Sequence, residues 1–178
     1  MINMLTIIIA VIGFAADRIA KILTKLFVEP VGSVTVIDGI FSFTYVENRG
    51  AAHGILQGQR WPLIAVTCVV CALVIWFLVK NYGRTTKLLR VASGLILAGA
   101  FGNLFDRVFF GYVIDMMQVT FIEYPVFNPA DNMLVVGVVL LGIYILFFDK
   151  EFLNKDKNKK EISESKQNTQ TENDDADR

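Results

Sequence analysis

LLRVASGLILAGAFGNLFDR, residues 88–107, is an apolar run that ends in an acid and a base. Roughly 20 apolar residues, at about 1.5 Å of helical rise each, cross the about 30 Å hydrocarbon core of a bilayer. The run therefore predicts a transmembrane helix over 88–109. Three further apolar runs predict spans over 4–26, 61–80 and 131–149. The chain has 178 residues, 54% of them hydrophobic and only 19% charged, which is too apolar for a soluble domain of this size. The expected fold class is membrane all-α with four transmembrane helices.

Lys and Arg fix the expected orientation. Lys80, Arg84, Lys87 and Arg90 follow the second span, and five lysines between 150 and 160 follow the fourth, so both regions are expected on the cytoplasmic side. The connection 28–60 holds only Arg49 and Arg60 and the connection 110–130 holds neither Lys nor Arg, which puts both outside and both termini inside. The first span lacks a basic stretch ahead of it and carries charges at 17, 18 and 21, which reads as an uncleaved span rather than a signal peptide. From residue 150 to 178 the chain is a polar, mixed-charge tail with too little apolar content to fold, expected to be disordered.

Cys68 and Cys71 lie inside the second span, without other soft ligands nearby, and read as small packing residues. His53 is the only histidine, so neither a His-based zinc site nor a Ser/His/Asp triad has much to build on.

By depth, Asp17, Arg18 and Lys21 fall in the outer half of the first span, Asn103, Asp106 and Arg107 near the outer end of the third, and Asp115 and Asp131 beside them. Charge within a membrane is costly, on the order of 3 kcal/mol per group, and normally faces a partner. One reading is a shared polar pocket. The other is interfacial snorkelling by Arg18 and Lys21, with Asn128, Pro129, Ala130 and Asp131 forming a helix N-cap and first turn. Asp17 and Lys21, four apart, face the same side of a helix. Asp106 and Arg107 are adjacent and must point apart, so a cross-helix network satisfies them better. Gly94, Gly99 and Gly102 allow a neighbouring helix to approach closely. The alternation in IFSFTYVEN, within 34–49, predicts a small strand segment. It could accept an extended peptide by strand addition or cover the helix ends.

Asp115 and Asp131 flank a short excursion, so its return into the membrane brings them together. Two carboxyls sharing a site do not both ionise easily. That is the arrangement with which an aspartic protease activates water and polarises a scissile carbonyl.

DRIAK at 17–21, NRGAAHG at 48–54, GAFGNLFDR at 99–107, VIDM at 113–116 and FNPAD at 127–131, in that order, make the chain resemble the bacterial lipoprotein signal peptidases, or signal peptidase II. The resemblance implies an aspartic endopeptidase that removes the signal peptide from diacylglyceryl-modified prolipoproteins, cutting before the lipidated cysteine. It implies Asp115 and Asp131 as catalytic, Asn48, Asn103, Arg107 and Asn128 as substrate-binding or site-shaping, and Asp17, Lys21 and Asp106 as structural support. It further implies a four-span peptidase domain over 1–149, an extracytoplasmic β-cradle over about 28–60, and a cytoplasmic tail over 150–178. The setting would be the bacterial cytoplasmic membrane, with the site toward the outer leaflet. No metal or organic cofactor and no nucleic-acid partner is expected; the partners are substrate and membrane lipid, and the chain is expected to be a monomer. Arg18, where the family commonly has Gln, and His53, where it commonly has Phe, depart from the pattern. A small proton-coupled transporter is the alternative, and a non-catalytic membrane scaffold a further one.

Overall fold

The structure, a computed structural model, describes residues 2–51, 55–83 and 85–147. His53, Arg84, the last two positions of the expected fourth span and the tail 150–178 lie outside the described residues. Four helices run α1 (Met4–Phe27), α2 (Arg60–Lys80), α3 (Lys87–Phe109) and α4 (Pro129–Phe147). The strands are β1 (Ser33–Ile37), β2 (Phe41–Asn48) and β3 (Val113–Val119), with a short 3-10 turn at Glu29–Val31. Packing divides the chain into residues 1–141 and 142–178, and of the second unit only 142–147, the last turns of α4, are described.

Each apolar run becomes a helix, even where glycines interrupt it, because the length of apolar sequence outweighs them, and capping residues mark the start of α1 and α3. Asn3 caps α1 by accepting from the N–H of Leu5 at 3.0 Å, and Thr86 caps α3 by accepting from that of Leu89 at 3.2 Å. By length and composition α2, α3 and α4 are long and apolar enough to cross a membrane. Helix α1 has the length, 24 residues, but carries Asp17, Arg18, Lys21 and Lys25, so among the described residues apolarity alone marks three spans rather than the expected four.

Helix α3 is the centre of the bundle. Its apolar stretch is 61% buried, against 11% for α2 and for α4. Small residues permit this. A methyl added at Gly94 would lie 2.9 Å from Ile9 Cβ of α1, and one at Gly102 would lie 2.7 Å from Asp17 Oδ2. A methyl at Gly99 would collide with the carbonyl oxygen of Ala130 and come within 2.8 Å of Leu134 Cγ on α4. Close backbone approach of this kind supplies packing where lipid removes the hydrophobic drive between helices. Helix α2 joins through Cys71 and Leu78, buried with Leu97 and Ala100 of α3. Cys68 is exposed, and both thiols are free. The outward faces present Trp61, Leu73 and Trp76 on α2 and Val138 and Val139 on α4.

The three strands form one antiparallel sheet in the order β1-β2-β3, with Ser33 opposite Thr44, Val46 opposite Asp115 and Asn48 opposite Val113. The cradle expected over 28–60 therefore has a third strand drawn from beyond it. VIDMMQV hides its strand character because Val113, Ile114, Asp115 and Met116 are all buried, so no polar–apolar alternation marks it.

Gly99→Ala is expected to cost about 1–3 kcal/mol, because the backbone of α4 cannot yield as a flexible side chain would. A thermal midpoint in detergent equal to that of the wild type would count against this packing.

Candidate active site

Helix α1 brings Asp17 and Lys21 to one face, where Lys21 Nζ lies 3.0 Å from Asp17 Oδ2 and 2.7 Å from Asp106 Oδ2 on α3. It also donates to Asn103 Oδ1 at 3.2 Å. Arg18 adds a second cation, Nη1 at 2.6 Å from Asp106 Oδ1 and Nη2 at 2.8 Å from Asp17 Oδ2. The side chains of Asp17 and Asp106 are 0% exposed and that of Lys21 1%. Lys21 thus does not snorkel: two carboxylates hold it inside. Asp106 and Arg107 point apart as their adjacency requires. Asp106 turns to α1, whereas Arg107 donates to the carbonyls of Gly50 at 2.9 Å and Asn103 at 3.5 Å.

Asp115 sits on β3 and Asp131 in the first turn of α4, and Asn128 connects them. Asn128 Nδ2 donates to Asp115 Oδ1 at 2.6 Å, while its Oδ1 accepts from the N–H of Asp131 at 3.0 Å. The N–H of Asn128 in turn donates to Asp131 Oδ2 at 3.2 Å, closing a reciprocal cap of the helix. The second oxygen of each carboxyl meets another amide: Asn48 Nδ2 donates to Asp115 Oδ2 at 2.8 Å, and Asn103 Nδ2 to Asp131 Oδ1 at 2.7 Å. Asn103 links the two layers, since its oxygen takes Lys21 and its nitrogen serves Asp131. Asn48 is held by its own turn, its Oδ1 accepting from the N–H of Gly50 at 2.9 Å.

Asp115, Asp131, Asn48, Asn103 and Arg107 line one cavity of about 610 Å³, whose other walls include Val46, Val113, Phe127, Leu134 and Val135. Asn128 is fully buried behind the dyad, and Asp17, Lys21 and Asp106 lie one layer deeper. Glu47, Gln57 and Tyr124 also face the cavity. They stand outside the quoted motifs or within them without a chemical signature, and only the pairing of β2 with β3 would have located Glu47. A separate groove of about 540 Å³ along α1 and α3, walled almost wholly by apolar side chains such as Ala10, Phe14, Leu97 and Phe101, contains none of these groups.

Burial pushes the Asp115 carboxyl up to about 6, and the charge of Asp131 adds to the shift, against the pull of the Asn128 and Asn48 amides and of Lys21. Since the folded value stands above the unfolded one, near 4, this group stabilises the fold while protonated, and that contribution is lost as pH rises through about 6. The thermal midpoint of the wild type is expected to fall more between about pH 4.5 and about pH 7.5 than that of Asp115→Asn, whose amide does not titrate. Parallel pH dependences would contradict the shift.

The family described as signal peptidase (SPase) II matches residues 9–147. A lipoprotein signal peptidase of Clostridium acetobutylicum is 40% identical over 146 residues, covering 80% of this chain and 94% of the relative. One of Halothermothrix orenii is 39% identical over 138 residues, covering 78% and 92%. Two solved structures of a bacterial membrane enzyme superpose with TM-scores of 0.73 and 0.70 at 31% and 32% identity, each covering 82% of this chain, and 90% and 94% of the respective structures. With its ordered motifs, its bundle-and-sheet architecture and two carboxyls joined across one cavity, the chain belongs to the signal peptidase II family.

Proposed function

We propose that the chain cleaves the signal peptide from diacylglyceryl-modified prolipoproteins, with Asp115 and Asp131 as its catalytic dyad. The observation that carries the reading is Asn128, whose side-chain amide donates to the Asp115 carboxyl and whose backbone N–H donates to that of Asp131, both of which line one cavity. Family membership supports the peptidase activity and disfavours the transporter alternative.

One proton is shared between the two carboxyls. Asp131 lies at the N-terminus of α4, where the helix dipole favours an anion, so it is the ionised partner and Asp115 carries the proton. Asp131 takes a proton from a water molecule as the water oxygen adds to the scissile carbonyl carbon. Asp115 gives its proton to the carbonyl oxygen. The tetrahedral intermediate collapses when the bond to the cysteine nitrogen breaks, that nitrogen leaving as an amine with the proton Asp131 took up, and the proton on the former carbonyl oxygen returns to Asp115. Arg107, Asn48 and Asn103 hold the peptide and the carboxyls in register.

Helix α1 also spans the membrane, with Asp17, Arg18 and Lys21 satisfied by one another and by Asp106. The flanking lysines and arginines set both termini in the cytoplasm and the sheet and dyad at the outer leaflet of the cytoplasmic membrane. The acyl chains of the modified cysteine remain in that leaflet, so the bond before it is presented at the depth of the cavity. Residues 1–149 act as a single peptidase domain in a monomer, and 150–178 form a cytoplasmic tail.

Purified enzyme is expected to release signal peptide from the lipid-modified precursor and not from the unmodified one. Asp115→Asn and Asp131→Asn are each expected to lower turnover by about 10³-fold or more. Near-normal turnover in either variant would refute the dyad, and equal cleavage of both precursors would refute the lipid requirement.

A further inference from the structure

We infer that Arg18 is a positioning residue for the cleavage reaction: its guanidinium ties together the two carboxylates that hold the backbone immediately before each member of the dyad. Asp106 Oδ2 accepts from the N–H of Ile114 at 3.3 Å, one residue ahead of Asp115. Asp17 Oδ1 accepts from the N–H of Ala130 at 3.2 Å, one residue ahead of Asp131. The strand and the helix that bear the dyad are thus each anchored to a separate carboxylate, one on α3 and one on α1. Arg18 bridges these two anchors through Nη1 to Asp106 and Nη2 to Asp17.

Lys21 touches both carboxylates as well, but an ammonium is a point charge with freely turning donors. A guanidinium is a planar fork whose two bonds have fixed directions. The fork is itself held, its carbon 4.8 Å from the ring centroid of Phe105 and 5.9 Å from that of Phe14, with Nη2 3.4 Å from the carbonyl of Gly102. Arg18 is not among the described residues that line the cavity, so it acts on the dyad through the two anchors and not on the substrate. A shift of about 1 Å in a reacting group costs roughly 10²-fold in rate.

This inference rests on the assignment of Asp115 and Asp131 as the dyad. The test compares full-length wild type, Arg18→Leu and Arg18→Lys, with Asp115→Asn and Asp131→Asn alongside, on one diacylglyceryl-modified prolipoprotein. It measures kcat and KM separately, together with hydrogen exchange at the amides of Ile114 and Ala130. Arg18→Leu is expected to lose about 10²-fold in kcat and Arg18→Lys, which keeps the charge and loses the fork, about tenfold. KM is expected to stay within about twofold, and both amides to exchange faster. Wild-type kcat and wild-type protection of both amides in Arg18→Lys, with the aspartate variants inactive, would overturn the inference and leave the dyad standing. A loss expressed in KM would overturn it too. Active aspartate variants would overturn the dyad itself. If Arg18→Leu fails to fold, Arg18→Lys decides alone.

Discussion

Two carboxylates and two cations locked between α1 and α3 are the constraint on which the site depends. Asp17, Arg18, Lys21 and Asp106 sum to zero formal charge, and all but Arg18, 15% exposed, are buried almost completely. Such a group is stable only as a whole: removing one member of a buried ion pair typically costs about 3–5 kcal/mol, because the partner stays buried and unpaired. The same group satisfies the charges of Asp17, Arg18 and Lys21 on α1 within the protein. Its carboxylates also reach past the cations to the backbone of β3 and α4, the elements that carry Asp115 and Asp131.

The polar groups are layered. Ions lie deepest, amides next, and the carboxyls of Asp115 and Asp131 face the cavity. Asn103 and Asn128 belong to the middle layer, and each uses both ends of its amide, oxygen on one neighbour and nitrogen on another. An aspartate in either place would lack the donor and a leucine would lack both, which is why asparagine recurs around a pair of carboxyls that need donors without added charge. Glycines in α3 make the layering possible by letting α1 and α4 approach its backbone.

Much of this was legible in the sequence. Among the described residues the helix ends matched the apolar runs to within about two residues, the end expected at 149 lying outside them, because in a bilayer apolarity and length are one signal. The i,i+4 spacing of Asp17 and Lys21 and the adjacency of Asp106 and Arg107 foretold a network across helices, and the order Asn128, Pro129, Ala130, Asp131 foretold a capped first turn. The fate of Lys21 was not legible, since spacing cannot tell a snorkelling lysine from one held by two acids on different helices. Strand β3 was missed because burial on both faces erases alternation, and the groups that Arg18 and Arg107 reach on other elements, Asp106 and the carbonyls of Gly102 and Gly50, lie far away in the chain.

If Asp115 and Asp131 cut the scissile bond, a bound substrate places that bond between them. A crystal structure of Asp131→Asn with an uncleaved diacylglyceryl-modified peptide tests it most directly. The scissile carbonyl is predicted within about 3 Å of the Asp115 carboxyl, with the residue at 131 across the carbonyl carbon from it. A peptide bound with that carbonyl in reach of neither residue would contradict the account.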